Sequence, residues 1–373
     1  RLSSNQEGPV DWIIGGFYKN SERTVGSVAD ATPSLGGALL TGDQKLRFRQ
    51  WAVFGEATWH VTDRLDLTGG LRYFQENDRF STDTGGLLVG PDFINTETQK
   101  SSKVAPRASI KYVLTDDVNV YATASRGFRA GGANATKPIF DLLGVPLPTS
   151  YEPDTLWNYE VGFKSEMFDR RLLLNVAGYY MDWKDIQLPL SVGVGFAGTF
   201  NAGDATSKGV EAELIAKPTD RLSFTFSGNY TDATLSDTVS VQIPTGPTTV
   251  FDYVVAVEGN ELPLVPEWKA SIGAEYEVPL GNEWSAFLRA DASFVPERFN
   301  FADNNPAEIL NSYQLVNLQA AFEGPVFDIV IFADNVADDV IEYAYQGDPS
   351  IPTERFFYPG RPRTVGVTLR TSF

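Results

Sequence analysis

Arg126, Gly127, Phe128, Arg129, Ala130, Gly131 and Gly132 put two guanidinium groups three residues apart in a glycine-rich run. That pattern could cradle an anionic ligand, although the same glycines relieve crowding where a strand enters a loop. Phe356 and Tyr358 join Arg126 and Arg129 as candidate ligand contacts, being aromatic rings in a second long polar stretch. Asp334, Asn335, Asp338 and Asp339 have the composition of a cation site. Their spacing misses the calcium-loop pattern, and a solvated turn explains them better. His60 is the one histidine and the chain has no cysteine, so no second nitrogen or sulfur ligand of that kind can complete a zinc or copper site around it.

Enzymatic chemistry is not encoded in any recognisable form. The 48 acidic residues supply many carboxylate pairs, yet none falls into an acid/base constellation. Nucleophile elbow, P-loop and dinucleotide fingerprint are all absent, and nothing calls for a cofactor. The formal net charge of −18 argues against a nucleic-acid partner, because phosphate recognition needs a basic surface. The chain opens on Arg1 without an initiator methionine or signal peptide, which reads as processing or truncation of the start.

The elements that must carry these residues are strands. Leu222, Phe224, Phe226, Gly228 and Tyr230 alternate with Ser223, Thr225, Ser227, Asn229 and Thr231, and Ala270 to Val278 and Trp284 to Phe294 repeat the pattern. The alternation often runs for nine or more residues, near the roughly 9 to 11 that a tilted membrane-spanning strand needs. Six tight turns punctuate the strands, around Asp63, Asp116, Asp169, Thr219, Gly281 and Gly324. Between them lie long polar connections at 24 to 45, 81 to 100, 127 to 154, 236 to 264 and 337 to 360.

Short turns at one rim and long loops at the other predict an all-β, antiparallel transmembrane β-barrel of about fourteen strands, one domain over residues 1–373. Glu211, Glu213, Glu275, Glu277, Arg289 and Asp291 should face its lumen, since a charge on the lipid face costs about 2–4 kcal/mol near the midplane. Trp59, Tyr73, Tyr112, Phe168, Leu222 and Trp284 are expected in or near the outward register, several of them in a belt by the short turns. Trp51, Trp157, Tyr180, Trp183, Tyr230, Trp268 and Phe294 are expected in a second belt at the long-loop ends. The final segment alternates Val365, Val367, Leu369, Thr371 and Phe373 against Thr364, Gly366, Thr368, Arg370 and Ser372. It suits a lipid-facing seam strand, with the terminal strand of a soluble sandwich as the other reading.

Several stretches resemble the carboxy-terminal barrel of TonB-dependent outer-membrane receptors: VYATASRGFRAGGAN (120–134), YEPDTLWNYEVGFKSEMFDRRLLLNVAGYYMDWKDIQ (151–187), NAGDATSKGVEAEL (201–214), and FADNVADDVIEYAY with PGRPRTVGVTLRTSF. The resemblance spans nearly the whole chain. It implies part of a barrel of about 22 strands, in a Gram-negative outer membrane in contact with lipid and lipopolysaccharide. It further implies uptake of a bulky scarce nutrient, by default a ferric siderophore or another small-molecule chelate, energised through the TonB complex. TonB would act on an amino-terminal plug that this chain lacks. By the same resemblance Val365, Val367, Leu369 and Phe373 form the signal read by the barrel-assembly machinery. Ligand contacts would come from loops 127 to 154, 189 to 204, 236 to 264, 297 to 312 and 337 to 360. A passive outer-membrane channel of about fourteen strands and a soluble β-rich binding protein remain as alternatives.

Overall fold

A computed structural model describes residues 1–5, 8–30, 38–87, 90–134, 137, 141, 147–191, 197–244, 250–346 and 356–371. The first strands are β1 (Leu2–Ser3), β2 (Val10–Asp30), β3 (Ala38–Thr62), β4 (Leu65–Gly86), β5 (Gly90–Thr115) and β6 (Val118–Arg129). Next come β7 (Gly132–Ala133), β8 (Ser150–Tyr151), β9 (Asp154–Met167), β10 (Leu172–Lys184), β11 (Gln187–Ser191) and β12 (Ala197–Asn201). They are followed by β13 (Ala205–Thr219), β14 (Leu222–Leu235), β15 (Val239–Pro244), β16 (Val250–Ala256), β17 (Trp268–Gly281) and β18 (Trp284–Val295). The last are β19 (Arg298–Phe299), β20 (Ile309–Leu310), β21 (Tyr313–Glu323), β22 (Phe327–Asp334), β23 (Glu342–Gln346), β24 (Phe356–Pro359) and β25 (Thr364–Thr371).

Fifteen of these form one antiparallel meander in the order β1-β2-β3-β4-β5-β6-β9-β10-β13-β14-β17-β18-β21-β22-β25. Fourteen are long and the two-residue β1 is the fifteenth, so the expected count holds for the full strands. Among the described residues β1 and β25 are the two edges of this sheet. All six tight turns fall where the sequence puts them. The one at Phe168, Asp169 and Arg170 takes three left-handed residues in succession (φ 56°, 55° and 64°) to reverse the chain.

Alternation becomes two faces. Cross-strand register builds an unbroken apolar row from Leu67 through Ile110, Ala122, Val161, Gly178 and Val210 to Tyr230. The other face is polar and internally bonded: Tyr121 donates to Glu160 at 2.6 Å, Asn175 to Glu213 at 3.0 Å and Asn317 to Asp291 at 2.8 Å. Glu211, Glu213, Glu275, Glu277, Arg289 and Asp291 all lie on it, as expected for a lumen wall. Val365, Val367 and Leu369 stand 70%, 68% and 64% exposed on the apolar face of β25; Phe373 lies outside the described residues.

Three expectations need correction. Stretches 24 to 45 and 81 to 100 are largely strand, because β2 to β5 run for 21, 25, 22 and 26 residues. At about 3.3 Å per residue, a strand tilted at about 45° needs roughly ten residues to cross an apolar band of ~25 Å. The remainder extends past the band, where both faces are wet, and polar residues on both faces look like a loop in sequence. Tyr73 belongs to the upper belt: it pairs with Val53, and its ring meets Trp51 at 5.3 Å. Trp183 pairs with Leu156, on the face opposite Tyr180, and packs inward against the loop core described next.

Candidate functional site

Each of the five long loops from residue 127 onward folds back on itself as a short two-stranded ladder: β7 with β8, β11 with β12, β15 with β16, β19 with β20, and β23 with β24. Among the described residues, the hydrophobic core lies in this loop layer and not in the barrel wall. Leu147, Ile186, Leu188, Phe200, Leu235 and Leu262 are its larger members, with Trp183 against it. The wall has no reason to build such a core, since its apolar face looks outward.

Asparagine side chains tie successive loops together. Asn134 donates from Nδ2 to the Thr199 carbonyl at 2.7 Å and accepts from the Thr199 amide at 2.8 Å. Asn201 does the same with the backbone of Glu152, at 3.0 Å and 2.8 Å, and Asn304 with that of Glu261, at 3.0 Å and 2.6 Å. An amide offers one donor edge and one acceptor edge, so each pair reproduces a rung of a β-ladder between segments that cannot align as strands.

Below the layer sits a clamp. Arg129 closes β6 and Asp154 opens β9, and the two are direct cross-strand partners. Asp154, 1% exposed, accepts from the Arg129 amide at 3.0 Å, from Arg129 Nε at 2.7 Å and from Arg129 Nη2, and also from the Gln187 amide at 3.3 Å. The guanidinium lies 4.8 Å over the Trp183 ring and donates to the Gln187 carbonyl at 3.0 Å. Gln187 reaches back from Nε2 to the carbonyls of Ala130 and Glu152, both at 3.0 Å. Three loop bases are thereby fixed by one buried carboxylate.

Arg126 and Arg129 are not brought together. Arg126 pairs with Trp157 and, by alternation, shares a face with Ala122 and Ala124, whereas Arg129 enters the clamp. Gly131 and Gly132 have a packing reason: a Cβ on Gly131 would strike the Tyr151 carbonyl and Gln99 Nε2, and one on Gly132 the Tyr151 phenol. Tyr358 is 58% exposed on β24; the side chain of Phe356 lies outside the described residues. His60 sits by a tight turn between Asp66 at 2.7 Å and Asp11 at 3.1 Å, with Lys111 on Asp66 at 3.3 Å. In the aspartate-rich turn, Asn335 caps the Asp339 amide at 3.0 Å, Asp338 holds Arg363 at 3.2 Å and Asp339 accepts from the Gln314 amide at 2.8 Å.

Two further features were invisible in the sequence. Glu76 and Asp78, each 3% exposed, stand on the polar face of β4 beyond the Trp51–Tyr73 belt. Gln50 donates to Glu76 at 2.8 Å, while burial, with Glu76 beside it, pushes the Asp78 carboxyl up to about 8. Arg298, 6% exposed, donates to the carbonyls of Glu342 at 2.7 Å and Tyr343 at 3.3 Å and lies 5.6 Å from the Tyr313 ring. Burial pulls its pKa down, and its Nη1 has no hydrogen-bond partner. Both features rest on loop and strand extensions meeting above the belt, a proximity that no local pattern encodes. Among the described residues the assembly is a polar, aromatic-lined mouth whose chemistry suits recognising and holding a ligand.

A family model described as TonB dependent receptor-like, beta-barrel matches residues 2–336. The pesticin receptor of Yersinia pestis is 26% identical over 369 residues, covering 98% of this chain and 49% of that protein. The metal-pseudopaline receptor CntO of Pseudomonas aeruginosa is 24% identical over 298 residues, covering 79% and 37%. Among solved structures, the ferric yersiniabactin uptake receptor FyuA from Yersinia pestis superimposes with a TM-score of 0.80 at 21% identity, covering 99% of this chain and 52% of that one. The chain spans about half the length of the pesticin receptor and of FyuA and 37% of CntO.

Proposed function

The chain belongs to the TonB-dependent receptor β-barrel family, and on that premise we propose that it serves TonB-energised uptake of a bulky metal chelate, with a ferric siderophore as the default cargo. It is a transport barrel of a Gram-negative outer membrane and not an enzyme. The carrying observation is the loop layer: five laddered loops with their own dry core, clamped over a polar wall. Preorganised loops bind a bulky, rigid cargo without the entropic cost of ordering them at each encounter. Relatives that are receptors for metal-pseudopaline and for ferric yersiniabactin support a chelate of this class.

Cargo contacts in this reading come from exposed groups at the mouth, among them the outer edge of Arg129 and the rings of Tyr343 and Tyr358. The test is uptake of radiolabelled ferric chelates by cells expressing the receptor, with and without TonB. TonB-dependent accumulation of at least one ferric chelate supports the reading. Uptake that persists unchanged after TonB is deleted would sink it in favour of passive passage.

A further inference from the structure

Glu76 and Asp78 have no part in the clamp or in the loop core. Alternation along β4 sets them side by side on its inner face, between the buried rings of Phe74 and Phe80, which shut out the water that would otherwise solvate them. Register places Asp78 opposite Gln99 of β5 and Glu76 opposite Ser101, itself 6% exposed. On the same face Lys103 stands opposite Phe74, one row nearer the membrane, and Arg72 packs over the Phe74 ring; neither forms an ion pair with the two carboxylates.

Two oxygens on this face lack a donor: Asp78 Oδ1 and Gln99 Oε1 are both buried without a hydrogen-bond partner. Turning the amide round does not repair this. Its Nε2 donates to the Tyr151 carbonyl at 2.8 Å, an acceptor that would repel Oε1, so the bond to β8 fixes which end points away. The two orphaned acceptors belong to directly opposite residues, whose Cβ atoms stand about 4.5–5.5 Å apart in such a pair. A proton shared by Glu76 and Asp78 relieves their repulsion but leaves the Gln99 oxygen unmet. A metal ion serves all three groups at once, and a buried charge is either paired or bound to metal. We propose that Glu76, Asp78 and Gln99 form a calcium site that ties the outer halves of β4 and β5 to the 127 to 154 loop through Tyr151. Two carboxylates balance a divalent charge, and the donors are all oxygen, as a hard cation requires. Magnesium sheds its waters reluctantly and suits so buried a position poorly, while zinc and copper favour nitrogen or sulfur. Without the ion the pair keeps a proton in its place. The site is independent of which cargo the receptor carries.

Amide hydrogen exchange at one fixed pH tests this, on the receptor purified from outer membranes in mild detergent, stripped with EDTA and then given calcium chloride. In wild type, calcium is expected to raise protection in the outer halves of β4 and β5 and at Tyr151, by about tenfold at ten times the half-saturating concentration. Half-saturation is expected on the order of 10⁻⁴–10⁻³ M, the range of extracellular calcium modules. Asp78→Asn keeps the shape and removes one charge, and should abolish the response. Asp83→Asn, on the exposed face of β4, should leave it intact, and magnesium chloride at the same concentration should give none. Heat-modifiable gel migration verifies that each variant is folded, and if Asp78→Asn fails to fold, Glu76→Gln decides. No calcium response in wild type, an unchanged response in the folded carboxylate variant, or an equal response to magnesium overturns the assignment.

Discussion

Removing the carboxylate of Asp154 is the sharpest perturbation of the loop layer. In Asp154→Ala the amides of Arg129 and Gln187 lose their acceptor. Each costs about 1–3 kcal/mol if it stays buried and unpaired. The Arg129 guanidinium, 47% exposed, can rehydrate, so its ion pair is counted at the exposed-pair scale of about 0–1 kcal/mol. The expected loss is about 3 kcal/mol, or roughly 150-fold in the ratio of closed to open loop bases. The converse change, Arg129→Ala, strands a carboxylate that is only 1% exposed, and removal of one partner of a buried pair costs about 3–5 kcal/mol. Arg129→Ala should therefore loosen the layer at least as much as Asp154→Ala, and the double variant should cost less than the two single losses added. Amide hydrogen exchange at Gln187 and through β12 reads this directly, with the β9–β10 hairpin as the internal control. Unchanged protection in Asp154→Ala, or an equal loss throughout the hairpin, would refute the idea that one carboxylate locks three loop bases.

The remaining predictions concern other parts of the chain. The Asp78 carboxyl titrates near 4 when unfolded and about 8 when folded, so the folded state binds the extra proton between those values; the stability this lends is present below about pH 4 and lost as pH rises through about 8. Protection factors in the outer half of β4 and β5, corrected for the intrinsic rise of exchange with pH, should accordingly fall from pH 5 to pH 8.5, and Asp78→Asn should abolish that trend. Gly132→Ala should cost about 1–3 kcal/mol by pushing a methyl group into the Tyr151 phenol, seen as faster proteolysis between β6 and β9. Val367→Lys should impair assembly of the heat-modifiable form, at about 2–4 kcal/mol near the midplane, while Thr368→Lys on the opposite face is tolerated.

The wall was legible because membrane and lumen impose opposite demands on alternate residues. Ile272 and Tyr276 against Ser271 and Glu275 can be read without neighbours, and the register puts them on opposite faces. The same logic fails where its cause stops. Beyond the Trp51–Tyr73 belt both faces of β4 are wet, the period fades, and Ser81, Thr82 and Asp83 read as loop although they are paired strand. Tyr73 went to the wrong belt for a related reason: an aromatic near a turn and one a full span away look alike until register fixes the height. Arg126 and Arg129 stand three residues apart, and an odd spacing on a strand sends two side chains to opposite faces. Asp154 and Gln187 gave no signal because their partners are 25 to 58 residues away.

The position of the dry core follows from the same division of solvents. A barrel wall turns its apolar side chains to lipid and its polar ones to the lumen, leaving nothing to bury between layers. Loops rising into water face the ordinary problem of a small soluble domain, and these loops meet it in the ordinary way, with Leu147, Ile186, Phe200 and Leu235 inside and asparagine rungs between segments. Because that core draws on strand ends as well as loops, through Ala205, Ala233 and Leu235, it is continuous with the wall. A cargo bound by the loops is therefore bound by the barrel. Any opening of the mouth has to break the core, the asparagine rungs or the Asp154 clamp, and the clamp is the contact whose loss frees the most loop with a single side chain.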